Sequence, residues 1–285
     1  MDIVFDLLKW PVLACVLLPG ILVYFGLHII RREVIFVDLA LAQVAAIGTC
    51  LCLMLGHDAN DAHTWIWSAG FTIIGALIFA LTRTEGKHRV PQEALIGIVY
   101  VVAAAGSILL LSRSTAGKEE LQAILVGDVL NVTWAHVWKT GLLFLAIAAV
   151  QVIWRKQFLM ISFEPARAKA AGMSLRWWDF LFYSLFGLVV TSFLEIGGVL
   201  LVFSYLIVPA VCANLLVTRL GAMLLVGWLT AVVASVSGIW ISYKADLPVG
   251  AAIVCTLGAA LLVAGFVSKF FRGPHRTTSD NPPSH

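Results

Sequence analysis

Four side chains that commonly ligate transition metals fall within one short stretch: His57, Asp58, Asp61 and His63. Imidazole and carboxylate groups suit divalent first-row ions. The stretch fits a metal-capturing loop. It also fits a solvated polar turn, because a closed metal site needs a fixed geometry that a short loop does not guarantee. Other polar or helix-breaking residues interrupt long apolar runs: Asp38, Gln43, Glu195 and Pro209. If those runs cross a bilayer, a charge within one costs about 2.5–3.5 kcal/mol and faces the protein interior or a water path. Asp38, Gln43 and Glu195 therefore read as lining a substrate path, or as interhelical hydrogen-bonding and helix-end residues. Pro209 frees backbone groups in mid-run, which suits a functional bend or a packing feature. Glu93 opens a run and reads as a charge favourable at a helix start.

None of these sets forms a catalytic constellation. HExxH and GxSxG are absent. Gly86-Lys87 and Gly117-Lys118 are followed by His88 and Glu119, and neither has the upstream glycine of a P-loop. The chain does not cradle ATP phosphates by itself, so ATP-driven work would need a partner.

A further segment could act mechanically. Residues 162–173 read SFEPARAKAAGM. Ser162 or Glu164 can start a short helix, Pro165 fits its first turn, and Gly172 can end it. Such a helix is either a surface linker or a rigid knob that docks into a partner.

The elements that must carry these residues follow from composition. The chain has 285 residues, 61% hydrophobic and only 12% charged, with a mean hydropathy of +0.97. A soluble domain is roughly half apolar and a quarter charged. Soluble enzymes, disordered chains and disulfide-rich secreted domains are excluded. The net charge of +3 leaves no basic face for nucleic acid. Cys15, Cys50, Cys52, Cys212 and Cys255 all lie in apolar runs and read as small packing residues. The N-terminal stretch, with Asp2 and Asp6, lacks the pattern of a cleavable signal.

One helical span takes about 20 residues. The apolar runs cover 11–30, 34–56, 65–82, 93–111, 132–154, 178–195, 196–217, 221–242 and 248–270. The fold class is all-α: a polytopic helical membrane protein of about nine transmembrane helices, between eight and ten. The sixth and seventh runs touch, with a boundary near Gly197-Gly198. Segment 121–131 is too short to span and reads as interfacial or re-entrant. Pairs of small residues four apart supply helix contacts: Ala103 and Ser107, Gly238 and Ser242, Ala260 and Ala264. Residues 1–271 form one transmembrane domain, and 272–285 read as a disordered tail. Nine spans put Arg31, Arg32, Arg83, Lys87, Arg89, Arg155, Lys156, Arg167, Lys169 and Arg176 on one side. That side is cytoplasmic by the positive-inside rule, and the N-terminus is outside.

The loop at 162–176 resembles the coupling segment of the permease subunits of metal-ion ABC importers, the zinc, manganese and iron group called ABC-3. The family's segment reads approximately (Asp/Glu)-Pro-x-x-Ala-x-x-x-Gly, which here is Glu164, Pro165, Ala168 and Gly172. Residues 93–100 (EALIGIVY), 197–213 (GGVLLVFSYLIVPAVCA), 242–250 (SYKADLPVG) and the pair Gly127-Asp128 resemble further family stretches in the same order. One departure stands out. Many members carry an Asp and a His four residues apart in the second span, a natural metal-binding couple. Aligned through Gly48, this chain has Leu39 and Gln43 there, with Ile47 in place of a proline, and Asp38 one residue out of register.

The resemblance implies a permease of the bacterial inner membrane, not an enzyme, for a divalent transition metal, bare or chelated. It implies no cofactor in this chain and ATP–Mg held by two separate cytoplasmic ATPase subunits. An extracytoplasmic binding protein would deliver the cargo. One coupling segment per chain against a pair of ATPases implies a homodimer with the path at its two-fold axis. The alternatives are an ABC permease for non-metal or chelate cargo, and an ion-coupled secondary transporter.

Overall fold

The computed structural model describes residues 2–57, 62–83, 91–112, 127, 129 and 132–271, with side chains from Lys9 onward except those of Glu195 and Phe271. Among these residues there is no strand, and nine helical segments are long and apolar enough to cross a membrane. They are Lys9–Arg32, Val37–Met54, Ala62–Leu81, Gln92–Leu111, Trp134–Ile153, Leu175–Leu194, Ile196–Leu216, Leu220–Ala245 and Val249–Phe270, called spans one to nine below. All nine coincide with the apolar runs. The expected re-entrant piece at 121–131, Asp128 and the 272–285 tail lie outside the described residues, save Gly127 and Val129.

Span one is two helical pieces, Asp2–Leu17 and Pro19–Arg32. The break falls where Pro19 brings no N–H to the ladder. Spans six and seven follow without a loop. Gly198 has φ 65° and ψ 172°, a backbone region that only glycine enters freely. The chain reverses there. Phe193 and Tyr205 stand with ring centroids 5.8 Å apart, where a straight helix would separate them by about 18 Å. Gly127 is pressed against the backbone of Gly197 and Gly198, so this residue sits on the reversal. A side chain at 127 would collide with it.

Lipid is as apolar as the helix surfaces, so association depends on close fit and hydrogen bonds. The small-residue pairs serve that fit. A Cβ on Gly238 of span eight would lie 2.7 Å from Ile253 Cα of span nine. Ala103 and Ser107 are buried in span four. Polar side chains tie the spans: Tyr205 to Ser235 at 2.5 Å, Thr72 to Thr191 at 2.8 Å, and Trp228 Nε1 to the Val16 carbonyl at 2.8 Å. Spans one, two and six are the most enclosed, and spans four and five the least. Four cysteines are buried as expected. Cys255 is exposed on span nine, contrary to a packing role within the chain, because it falls on the outward face of a peripheral helix.

Arg31, Arg32, Arg83, Lys156 and Arg167 gather at one end of the bundle, as their ion pairs and shared cleft show. It is the end expected from the charge count.

Candidate functional site

The segment after span five contains two helices rather than one. An elbow helix, Arg155–Phe163, precedes the expected short knob, Pro165–Ala170. Glu164 separates them with φ −136° and ψ 57°, because a residue before proline is pushed out of the helical region. The knob closes as predicted. Gly172 adopts φ 73°, and the Met173 and Gly172 N–H groups donate to the carbonyls of Ala168 and Lys169 at 3.1 and 3.0 Å. Glu164, Pro165 and Gly172 are exposed. Glu164 accepts from Arg167 Nη1 at 2.9 Å on the surface.

Two residues sit otherwise than expected. Ala168 is 0% exposed and packs with Ile161 and Leu175, so it anchors the knob from beneath rather than facing a partner. Ser162 is buried inside the elbow and caps nothing.

Ser162 is the centre of a polar network. Arg32 Nε donates to Ser162 Oγ at 2.8 Å, and His28 Nδ1 lies 2.8 Å from the same oxygen. Arg32 can only donate, so Ser162 Oγ accepts from it and pairs with His28 Nδ1 through its hydrogen or its second lone pair. Arg32 Nη1 donates to Asp179 Oδ1 at 2.7 Å, and Arg83 Nη1 donates to Asp179 Oδ2. The Arg32 guanidinium lies 3.8 Å from the Phe182 ring centroid, a cation–π contact in a desolvated setting. Span one, the end of span three, span six and the elbow thus meet at one carboxylate and one hydroxyl. Beside the network a cleft of about 520 Å³ opens between the elbow and the start of span eight, lined by Arg31, Lys156, Phe163, Arg167 and Met223.

The expected path residues lie apart from this network. Asp38 is 1% exposed at the start of span two, with no hydrogen-bond partner on either oxygen. Glu93 of span four accepts from the Phe36 N–H at 3.1 Å, so it braces the start of span two across from Asp38. Gln43 is buried deeper in the same span. Five positions turn a helix by about 140°. Both residues are enclosed nonetheless, because span two is packed on several faces. Glu195 lies at the span-six reversal, and its side chain is outside the described set. Pro209 is buried, and the helix keeps helical backbone through it; the only non-helical residue of Leu175–Leu216 is Gly198. His57 and His63 come together at the mouth of their loop with ring centroids 5.1 Å apart. Asp58 and Asp61 lie outside the described residues. No group of three or more metal-ligating side chains occurs among the described residues.

The network is not marked in the sequence: Arg32 reads there as a loop charge, and Asp179 falls at the edge of an apolar run. An acidic residue inside that run was the available signal.

The sequence profile of the ABC 3 transport family matches residues 4–268. The chain is 30% identical over 239 residues to a Listeria innocua protein named manganese transport system membrane protein MntC, covering 84% of this chain and 82% of that one. It is 28% identical over 243 residues to the Streptococcus gordonii manganese import system permease protein ScaB, covering 85% and 84%. Its fold matches a chain of PsaBC from Streptococcus pneumoniae, solved in complex with Fab, with a TM-score of 0.78, 26% identity and 93% coverage of each chain.

Proposed function

The chain belongs to the ABC 3 transport family, and on that premise we propose that it is the permease subunit of an ATP-driven importer for a divalent transition-metal ion, with manganese as the first cargo to test. The observation that carries this reading is the exposed Glu164–Pro165 knob, held from beneath by Ala168 and backed by a buried ion network. A knob so mounted transmits a push. An ion-coupled carrier would leave it without a role.

In this reading the basic end faces the cytoplasm of a bacterial cell, and 162–176 is the coupling segment within a single 1–271 permease domain. Two ATPase subunits, each holding ATP–Mg, engage the knobs of two copies of the chain. A binding protein delivers the ion at the opposite end, near His57, Asp58, Asp61 and His63. Closure of the ATPases drives the knobs together and rocks the spans as rigid bodies between two states. Asp38 and Gln43 line the path, as the buried polar groups of span two. Glu195 borders it at the reversal of the chain. Pro209 acts through the shape of span seven. The relatives named for manganese support the cargo class. Without the Asp/His couple, the path offers a buried carboxylate and an amide in its place.

Two measurements test the reading. Cells lacking the chain, grown under metal limitation, should lose one divalent metal selectively by mass spectrometry, and regain it on complementation. The tagged chain should retain an ATP-binding subunit, and E164A or G172A should weaken that retention or uncouple it. Unchanged metals, or normal coupled transport in both variants, overturns the cargo or the docking assignment respectively.

A further inference from the structure

The knob and its elbow form one body. Glu164 N–H donates to the Met160 carbonyl at 2.8 Å, Arg167 N–H donates to the Glu164 carbonyl at 3.0 Å, and Ala168 is buried against Ile161. The inward face of this body is mostly apolar: Phe158, Ile161 and Ala168 are buried there. Phe158 meets Phe182 and Trp178 at centroid distances of 6.2 and 5.5 Å. Apolar burial of this kind fixes register less sharply than a hydrogen bond does. The hydroxyl of Ser162 fixes it more sharply: its two hydrogen bonds, each 2.8 Å, weaken steeply with misalignment. They reach His28 and Arg32 of span one. Arg32 continues to Asp179 of span six, and Asp179 to Arg83 at the end of span three.

We propose that Ser162 is the positioning residue that converts displacement of the knob into movement of spans one, three and six. Its hydroxyl sets the register of the elbow against span one, and the Arg32–Asp179–Arg83 chain carries that register to the other two. This rests on the reading that the knob docks an ATPase.

The test uses the complete transporter, chain with ATPase and binding protein, in proteoliposomes. Manganese uptake and phosphate release are measured together. S162A, which removes both hydrogen bonds, should retain the ATPase in full, while ATP consumed per ion moved rises by at least about fivefold, the scale of a single such bond. S162T, which keeps the hydroxyl, should hold the wild-type ratio. A protein that merely lost stability would change yield and not this ratio. An unchanged ratio in S162A overturns the proposal, and so does equal uncoupling in S162A and S162T. If S162A does not accumulate, S162T and S162C decide: coupling kept by Thr and lost by Cys supports the proposal, and both kept or both lost overturns it. If the wild-type chain retains no ATPase, the docking reading falls and takes this inference with it. Retention with an unchanged ratio strikes the inference alone.

Discussion

Arg32 and Asp179, 147 positions apart in sequence, meet at 2.7 Å where span one crosses span six. Arg83 takes the other carboxylate oxygen. Two cations therefore share one anion away from water, and the arrangement holds three spans at the basic end.

That geometry predicts the effect of D179N. The amide fills the same space but leaves two guanidiniums without a counter-charge. Breaking a buried pair by removing one partner costs about 3–5 kcal/mol. The thermal midpoint of the detergent-purified protein should fall sharply. A midpoint equal to wild type would mean that the carboxylate is not the anchor described.

The reversal between spans six and seven depends on backbone freedom. G198A forces a side chain into a region costing about 1–3 kcal/mol. G127A adds a Cβ that meets the backbone of Gly197 and Gly198. Both variants should lower yield and expose the reversal to proteolysis. By contrast, nothing lies within 4 Å of a Cβ built at Gly172. G172A should cost only its left-handed strain, about 1 kcal/mol. Equal damage from all three would refute the distinction.

Asp38 separates a path role from a structural one. Its carboxylate is buried without a hydrogen-bond partner, so D38N removes a costly group and should leave thermal stability equal or higher. Manganese uptake in the reconstituted transporter should nevertheless fall, by about tenfold if one favourable ion contact is lost. Normal uptake in D38N would remove Asp38 from the path.

Cysteine labelling checks the packing of the whole bundle. Cys15, Cys50, Cys52 and Cys212 are buried, and Cys255 is exposed. A maleimide should therefore leave Cys15, Cys50, Cys52 and Cys212 unmodified in the folded, detergent-purified chain until denaturant is added, and any labelling before that should be lost in C255A. Labelling of folded C255A without denaturant would place another cysteine at the surface.

Much of this protein could be read from the order of its residues. Nine spans were legible because a helix in lipid must satisfy its own backbone and present apolar side chains over its full length. That requirement is local, so runs such as 93–111 predicted the helix Gln92–Leu111 almost to the residue. The knob was legible for the same reason: Pro165 and Gly172 act on the backbone beside them. The reversal at Gly197-Gly198 announced itself by the lack of any loop between two full-length runs. What only the tertiary structure decided was partnership. Ser162 lies two residues from Glu164 in sequence but works with Arg32 and His28, 130 and 134 positions away. Ala168 has the spacing of an exposed motif residue, yet its Cβ is enclosed by Ile161 and Leu175. Long-range pairing leaves no local trace, since a charge near a span end looks the same whether it meets water or another span. Only the folded bundle brings Asp179 between two arginines.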